Sequence, residues 1–242
     1  MAVKVSLEFV ARDADKAVKR RDIIVVIDVL RFGSSSLNAL VNGAEAIIPV
    51  RTLDEAYELH KKYPSFLLAG ERRGLKPERF ELGNSPLEFT REKVYGKTII
   101  YTTTSGTMAL TRSKAAKWVL MGAFLNAHSA ACKAIEIADK EGIDISLVQS
   151  GAKGEFSLED FVCAGAIIEC FPREKVELSD GALAALSAFK QMKSNLCENI
   201  MQGKHARYLI NLGFEKDIKF SCQPNLFSLV PIYRNGVIKI VN

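Results

Sequence analysis

Residues 3–10 alternate apolar and polar positions, the period of a half-buried or edge strand. From Ile23 to Val29 (IIVVIDV) the apolar run is almost unbroken and β-branched, which predicts a central strand covered on both faces. A stretch rich in small residues from Gly33 leads into a helix that ends near Asn42-Gly43. Ala46 to Val50 reads as a strand, Leu53 to Lys62 as a helix after Thr52, and Phe66 to Ala69 as a strand ending at Gly70-Glu71. The order then recurs. Lys97 to Thr102 is a strand, a helix runs to about Ser113, and Ala116 to Met121 is a strand. Asn126 to Lys140 is a helix, Ile143 to Gln149 a strand before Ser150-Gly151, and Leu158 to Cys170 a helix. Beyond residue 172, Ser179 to Lys193 and Lys204 to Leu212 read as helices, and short strands fall near Phe227–Val230 and Val237–Val241.

Strands alternating with helices predict a single α/β domain over residues 1–242, a three-layer α/β/α fold with a mainly parallel or mixed sheet. Two halves, about 20–95 and 96–172, repeat the same order and suggest an internal duplication. Residues 173–242 form a C-terminal extension that packs on or extends the sheet.

Composition changes this picture little. The 242 residues are 48% hydrophobic and 25% charged, an ordinary globular balance. A chain this long buries roughly 70% of its unfolded surface without help from disulfides. Its net charge of +5 lacks the basic face with interleaved aromatics that nucleic acid requires. The densest cationic cluster, Lys19-Arg20-Arg21, reads as a solvated loop. No apolar run approaches the ~20 residues of a membrane span, and the N-terminus reads as a strand rather than a signal peptide. Five cysteines without CxxC spacing indicate reduced thiols in a cytoplasmic protein. The apolar, β-rich segments near the C-terminus suggest a homodimer.

Ligands of open parallel sheets gather at the carboxyl ends of strands. Four such ends carry unusual chemistry. At the first, Asp28 closes a buried strand, where a carboxylate is costly unless paired or metal-bound. Arg31 and Gly33 to Ser36 follow it, so Ser34 and Ser35 join the backbone N–H groups of the next helix as an anion seat. The alternative is an Asp that caps that helix. At the second, Thr102-Thr103-Thr104-Ser105-Gly106-Thr107 makes a hydroxyl-rich seat of the same design, without the lysine of a nucleotide-binding GxxxxGK[ST] loop. The third holds Glu71 and Arg72, with Asn84 and Ser85 downstream. The fourth holds Gly151 and Gly154 before Glu159 and Asp160, whose plainer role is to satisfy a helix dipole.

Carboxylates with no histidine cluster suit Mg²⁺, so Asp28, Glu71, Glu159 and Asp160 are the candidate metal ligands and Asp28, Arg31 and Glu71 the candidate catalytic residues. His60, His128 and His205 lack metal spacing and read as surface or packing residues, and Cys163 as a small apolar helix residue. Familiar phosphatase templates fail: Leu30 stands where an aspartyl-phosphate enzyme needs a second Asp, Glu169 stands where a cysteine phosphatase needs Arg, and no Arg-His-Gly occurs.

The ordered segments IDVLR, LLAGER, ELGNSP, TTTSGT and GxxGxxxxED-xxCAG, with Ser179-Asp180-Gly181-Ala182 and His205, Leu212-Gly213 and Asp217 farther on, resemble the 2-phosphosulfolactate phosphatases over about residues 5–240. The resemblance implies a Mg²⁺-dependent phosphoric monoester hydrolase of coenzyme M biosynthesis that acts on 2-phospho-3-sulfolactate, a small, multiply anionic substrate. The chain departs from the family at Phe32-Gly33, usually Ala-Thr, and at Ser105, usually Asn. Two other readings compete: a Rossmann-like enzyme with a nucleotide cofactor, which would want a GxGxxG after the first strand, and a non-catalytic anion-binding regulatory protein.

Overall fold

The computed structural model describes residues 2–104 and 106–240. Ser105 of the second hydroxyl turn therefore lies outside the described residues. Residues 2–95 contain β1 (Val3–Glu8), α1 (Ala14–Arg20), β2 (Ile23–Ile27), α2 (Phe32–Val41), β3 (Ala46–Val50), α3 (Leu53–Lys62), β4 (Leu67–Gly70) and α4 (Arg91–Val94), the first half beginning at β2. The second half contains β5 (Thr98–Thr102), α5 (Gly106–Ser113), β6 (Val119–Gly122), α6 (Ala127–Glu141), β7 (Ile145–Gln149) and α7 (Leu158–Glu169). The remainder contains β8 (Val176–Leu178), α8 (Asp180–Met192), α9 (Leu196–Met201), α10 (Lys204–Asn211), α11 (Glu215–Ser221), β9 (Pro231–Arg234) and β10 (Val237–Ile240).

Local chemistry sets these bounds. Thr52 Oγ1 accepts the Glu55 N–H at 3.0 Å and starts α3, while Glu55 Oε2 accepts the Arg51 N–H at 2.8 Å. Gly142, with φ +67°, closes α6 in the left-handed region that glycine favours. Arg20 differs from the expected solvated loop, whereas Arg21 is the exposed turn residue expected. Arg20 ends α1 and reaches Glu8 at 2.6 Å and Asp22 at 2.8 Å, two carboxylates buried beside Ser146. The strand expected near Phe227–Val230 begins instead at Pro231, whose missing N–H is tolerated at the first position of a strand.

The sheet order is β4-β5-β3-β10-β9-β6-β2-β7-β1-β8, an α/β fold with a ten-stranded mixed sheet. Two parallel flanks, β4-β5-β3 and β6-β2-β7-β1-β8, are joined by the antiparallel β9–β10 hairpin. The first strand of each half sits inside the other half's flank: β5 lies between β3 and β4, and β2 lies between β6 and β7.

Helices cover both faces. Ile24 and Val26 of β2 share one core with Ile99 and Tyr101 of β5, packed around Phe32, Leu40, Ala109 and Leu110 of α2 and α5. The opposite face of the larger flank packs against α6, α7 and α8 through residues such as Ile23, Val25 and Leu147. Because both flanks wrap α2 and α5, the carboxyl ends of β2 and β5 meet at one place. Among the described residues no helix is long and apolar enough to cross a membrane.

Candidate active site

A cavity of about 510 Å³ opens where these strand ends meet. Its wall includes Phe32, Gly106, Leu158 and Lys204, the first residues of α2, α5, α7 and α10. Each helix start carries the positive end of a macrodipole, so four such ends facing one space favour anions, although the Phe32 and Gly33 N–H groups of α2 are taken by Asp28 and that of Thr107 in α5 by Thr103.

Asp28 follows β2 directly and is 6% exposed. Its Oδ1 accepts the Phe32 N–H at 3.1 Å at the start of α2. Among the described residues Oδ2 has no donor; it lies so close to Gly106 that a Cβ there would stand 2.5 Å away. Burial pushes the carboxyl up to about 7, with Glu159 and Glu71 adding in the same direction and His205 opposing.

The other expected ligands are placed differently. Glu71 braces two loops, accepting the Thr104 N–H with Oε1 and the Gly74 N–H with Oε2, both at 2.7 Å. Asp160 ties the ends of β2 and β7, accepting the Val29 N–H at 2.8 Å and the Gly151 N–H at 3.0 Å. Burial, then Asp28 and Glu159, hold its carboxyl well above the usual range. Glu159 Oε1 lies 2.8 Å from His205 Nδ1, and its buried Oε2 has no partner among the described residues.

Arg31 lines the cavity and is almost wholly buried. It donates to Asp217 at 2.9 Å and to the Gly74 carbonyl at 2.6 Å, and its guanidinium lies 4.0 Å from the Phe214 ring centroid. Asp217 also accepts the Ser85 hydroxyl at 2.6 Å. Ser34 and Ser35 turn away from the cavity, donating to the carbonyls of Val29 and Asn84. Arg72 also lies outside it, bonded to Thr102 Oγ1 and to the Glu71 and Arg51 carbonyls. Asn84 lines the wall, its Oδ1 accepting the Tyr101 hydroxyl at 2.6 Å. Thr103, Thr104, Gly106 and Gly151 also line it, while Thr107 bonds back to Thr103 and Gly154 stands outside.

Of the cavity residues not singled out in the sequence, Arg73, Gly74 and Lys153 lie in two tight turns. Arg73-Gly74 and Lys153-Gly154 form matching tight turns, with φ of +53°/+82° and +53°/+79°, closed by the bridges Arg72–Leu75 and Ala152–Glu155. Paired positive-φ positions ending in Gly are the sequence signal for such turns. Tyr208 of α10 joins them, donating to the Arg73 carbonyl at 2.7 Å, with Lys153 Nζ 5.1 Å from its ring centroid. His205, expected as a surface or packing residue, lies on the wall with Ser157. No local pattern in the sequence distinguishes these two.

The sequence model of the 2-phosphosulpholactate phosphatases matches residues 9–236. A probable 2-phosphosulfolactate phosphatase of Clostridium acetobutylicum is 38% identical over 98% of this chain and 100% of its own length. Proteins of the same description from Thermotoga maritima and Thermotoga petrophila are 46% and 45% identical, each over 88% of this chain and 89% of its own. With the family model matching residues 9–236 and relatives 38–46% identical over most of its length, the chain belongs to the 2-phosphosulpholactate phosphatase family.

Proposed function

We propose that the chain is a Mg²⁺-dependent phosphatase that hydrolyses 2-phospho-3-sulfolactate, or a closely similar 2-phospho acid, to the hydroxy acid and phosphate. The observation that carries this reading is Asp28, a buried carboxyl with one oxygen free toward a cavity that four helix starts make electropositive. The names of the relatives support the substrate. Five unpaired thiols support a cytoplasmic setting, and coenzyme M biosynthesis follows from the resemblance.

The donor set fits Mg²⁺. Among the described residues no three His, Cys, Asp or Glu side chains group closely enough to cage an ion alone. Mg²⁺ needs no such cage, because it is held by one or two carboxylates together with substrate phosphate and water. Asp28 Oδ2 and the unpartnered Glu159 Oε2 are the oxygens to hold it; Glu71 and Asp160 already spend both oxygens on backbone N–H groups. When bound, the ion neutralises and polarises the phosphoryl oxygens.

The chain's own groups do the rest. The opening of α5 at Gly106, with the Thr103 and Thr104 hydroxyls, seats the phosphoryl oxygens and stabilises charge that develops on them, while the first N–H groups of α2 are held by Asp28. Glu71 fixes Thr104 and Gly74, and Arg31, held by Asp217, contributes fixed positive charge to the wall. Without metal, burial raises the Asp28 carboxyl to about 7, so taking up Mg²⁺ at Oδ2 is accompanied by release of its proton.

The test is phosphate release from 2-phospho-3-sulfolactate with and without Mg²⁺, for the wild type and Asp28→Asn. Mg²⁺-dependent release is expected, lowered at least about 10³-fold in the variant. Absence of release from any 2-phospho acid defeats the reading.

A further inference from the structure

The starts of α7 and α10 adjoin: a Cβ on Gly203, which precedes α10, would stand 3.6 Å from Leu158 Cβ. Both helices begin without a cap. Ser157 occupies the N-cap of α7, yet its hydroxyl makes no capping bond. Ser157 is 3% exposed and lines the cavity, and its Oγ has no hydrogen-bond partner among the described residues. A buried hydroxyl without a partner costs roughly 1–3 kcal/mol, so a structure that keeps one beside a cavity invites a ligand there.

The start of α10 is unusual in charge as well. Its N-cap is glycine, its first turn has no acidic residue, and Lys204 puts a cationic side chain where the macrodipole is already positive. Among the described residues the N–H groups of Leu158, Glu159 and Asp160, and of Lys204, His205 and Ala206, have no acceptor. The acids of the α7 first turn are directed elsewhere: Asp160 to Val29 and Gly151, and Glu159 Oε1 to His205. Two acids oppose it: Glu155, which pairs with Lys204 Nζ at 2.7 Å, and Glu159, whose Oε2 the reading above assigns to the cation.

We propose that this end of the cavity is a second anion subsite, in which Ser157 Oγ and the backbone N–H groups opening α7 and α10 bind the substrate's non-transferred anionic group, a carboxylate or sulfonate. It deepens the phosphatase reading and rests on it for the identity of the substrate. The phosphoryl end at Asp28 and Gly106 and this end share one cavity, so a single small molecule bearing two anions spans it. The subsite sets selectivity, whereas the phosphoryl end carries the chemistry.

The test compares kcat/KM for 2-phospho-3-sulfolactate with that for phospholactate, which lacks the sulfonate, and for 2-phosphoethanesulfonate, which lacks the carboxylate. Ser157→Ala is expected to lower the preference for the fuller substrate by about ten-fold or more, the loss of one hydrogen bond to a charged group. Lys204→Glu, which places an acid at the open start of α10, is expected to lower it further. A fall against phospholactate identifies the sulfonate as the occupant; a fall against 2-phosphoethanesulfonate identifies the carboxylate. Calorimetric binding of 3-sulfolactate, weakened in both variants, gives a readout that needs no turnover. If the wild type hydrolyses none of the esters, the phosphatase reading fails and this binding alone judges the subsite. Unchanged preference together with unchanged 3-sulfolactate affinity in both variants, at wild-type melting temperature, overturns it.

Discussion

Arg31 and Asp217, 186 positions apart, form an ion pair of 2.9 Å whose side chains are 1% and 3% exposed. The pair joins the start of α2 to α11, and through Ser85 and Gly74 it also holds two loops of the cavity wall. Removing one partner leaves a buried charge unpaired, which is the expensive way to break such a bond. Asp217→Ala is expected to destabilise the protein by about 3–5 kcal/mol in urea unfolding. The double variant Arg31→Met/Asp217→Leu should lose clearly less than the sum of its singles; additivity would show that the pair is not coupled.

Asp28 makes stability depend on pH. Its ordinary value is 3.8 and burial in the fold raises it to about 7. Below about pH 4 both states hold the proton, and above about pH 7 neither does. Between these limits the folded state holds more protons than the unfolded one, so stability falls as pH rises. In metal-free buffer, Asp28→Asn is therefore expected to gain stability over wild type from about pH 4 to about pH 7 and no more above it, by a few kcal/mol at most. Paired urea titrations at the two ends of that range measure it, and a pH-independent difference would contradict the cause given.

Gly106 leaves no room for a side chain. A Cβ there would stand 2.5 Å from Asp28 Oδ2 and 2.8 Å from Phe32 Cβ, neither on a flexible chain end. Gly106→Ala is expected to cost roughly 1–3 kcal/mol of stability and to lower kcat more than it raises KM. Steady-state kinetics beside a thermal melt separate the two effects.

Glu71 acts through backbone rather than through solvent. A glutamine in its place accepts with one oxygen and turns an amide N–H₂ toward the second donor. Glu71→Gln is expected to cost about 1–3 kcal/mol and to speed hydrogen exchange at the Thr104 or Gly74 amide. Exchange as slow as in the wild type at both amides would remove the bracing role.

Much of this architecture is legible in the sequence, and the reason differs by element. The bounds of α3 follow from Thr52 and its first-turn acids, and β2 follows from a β-branched run buried at every position. The strand ends that carry Asp28, Thr103 and Gly151 are read from hydrophobic runs stopping at small or polar residues. Strand order is not, because periodicity records burial and not neighbours: nothing local says that β5 pairs between β3 and β4. His205 and Asp217 were missed as site residues for the same reason. Each lies on a short helix of the C-terminal region, and only tertiary packing brings it to Glu159 or Arg31.

The exchanged strands and the β9–β10 hairpin also constrain how the molecule is made. During synthesis β3 and β6 emerge long before their common partner, and until residues 231–240 leave the ribosome each presents an open sheet edge. Neither half is a self-sufficient foldon, since each lacks a strand the other supplies. The cavity between the flanks thus forms only once residues 231–240 are in place, and a nascent chain halted before Pro231 is an aggregation hazard.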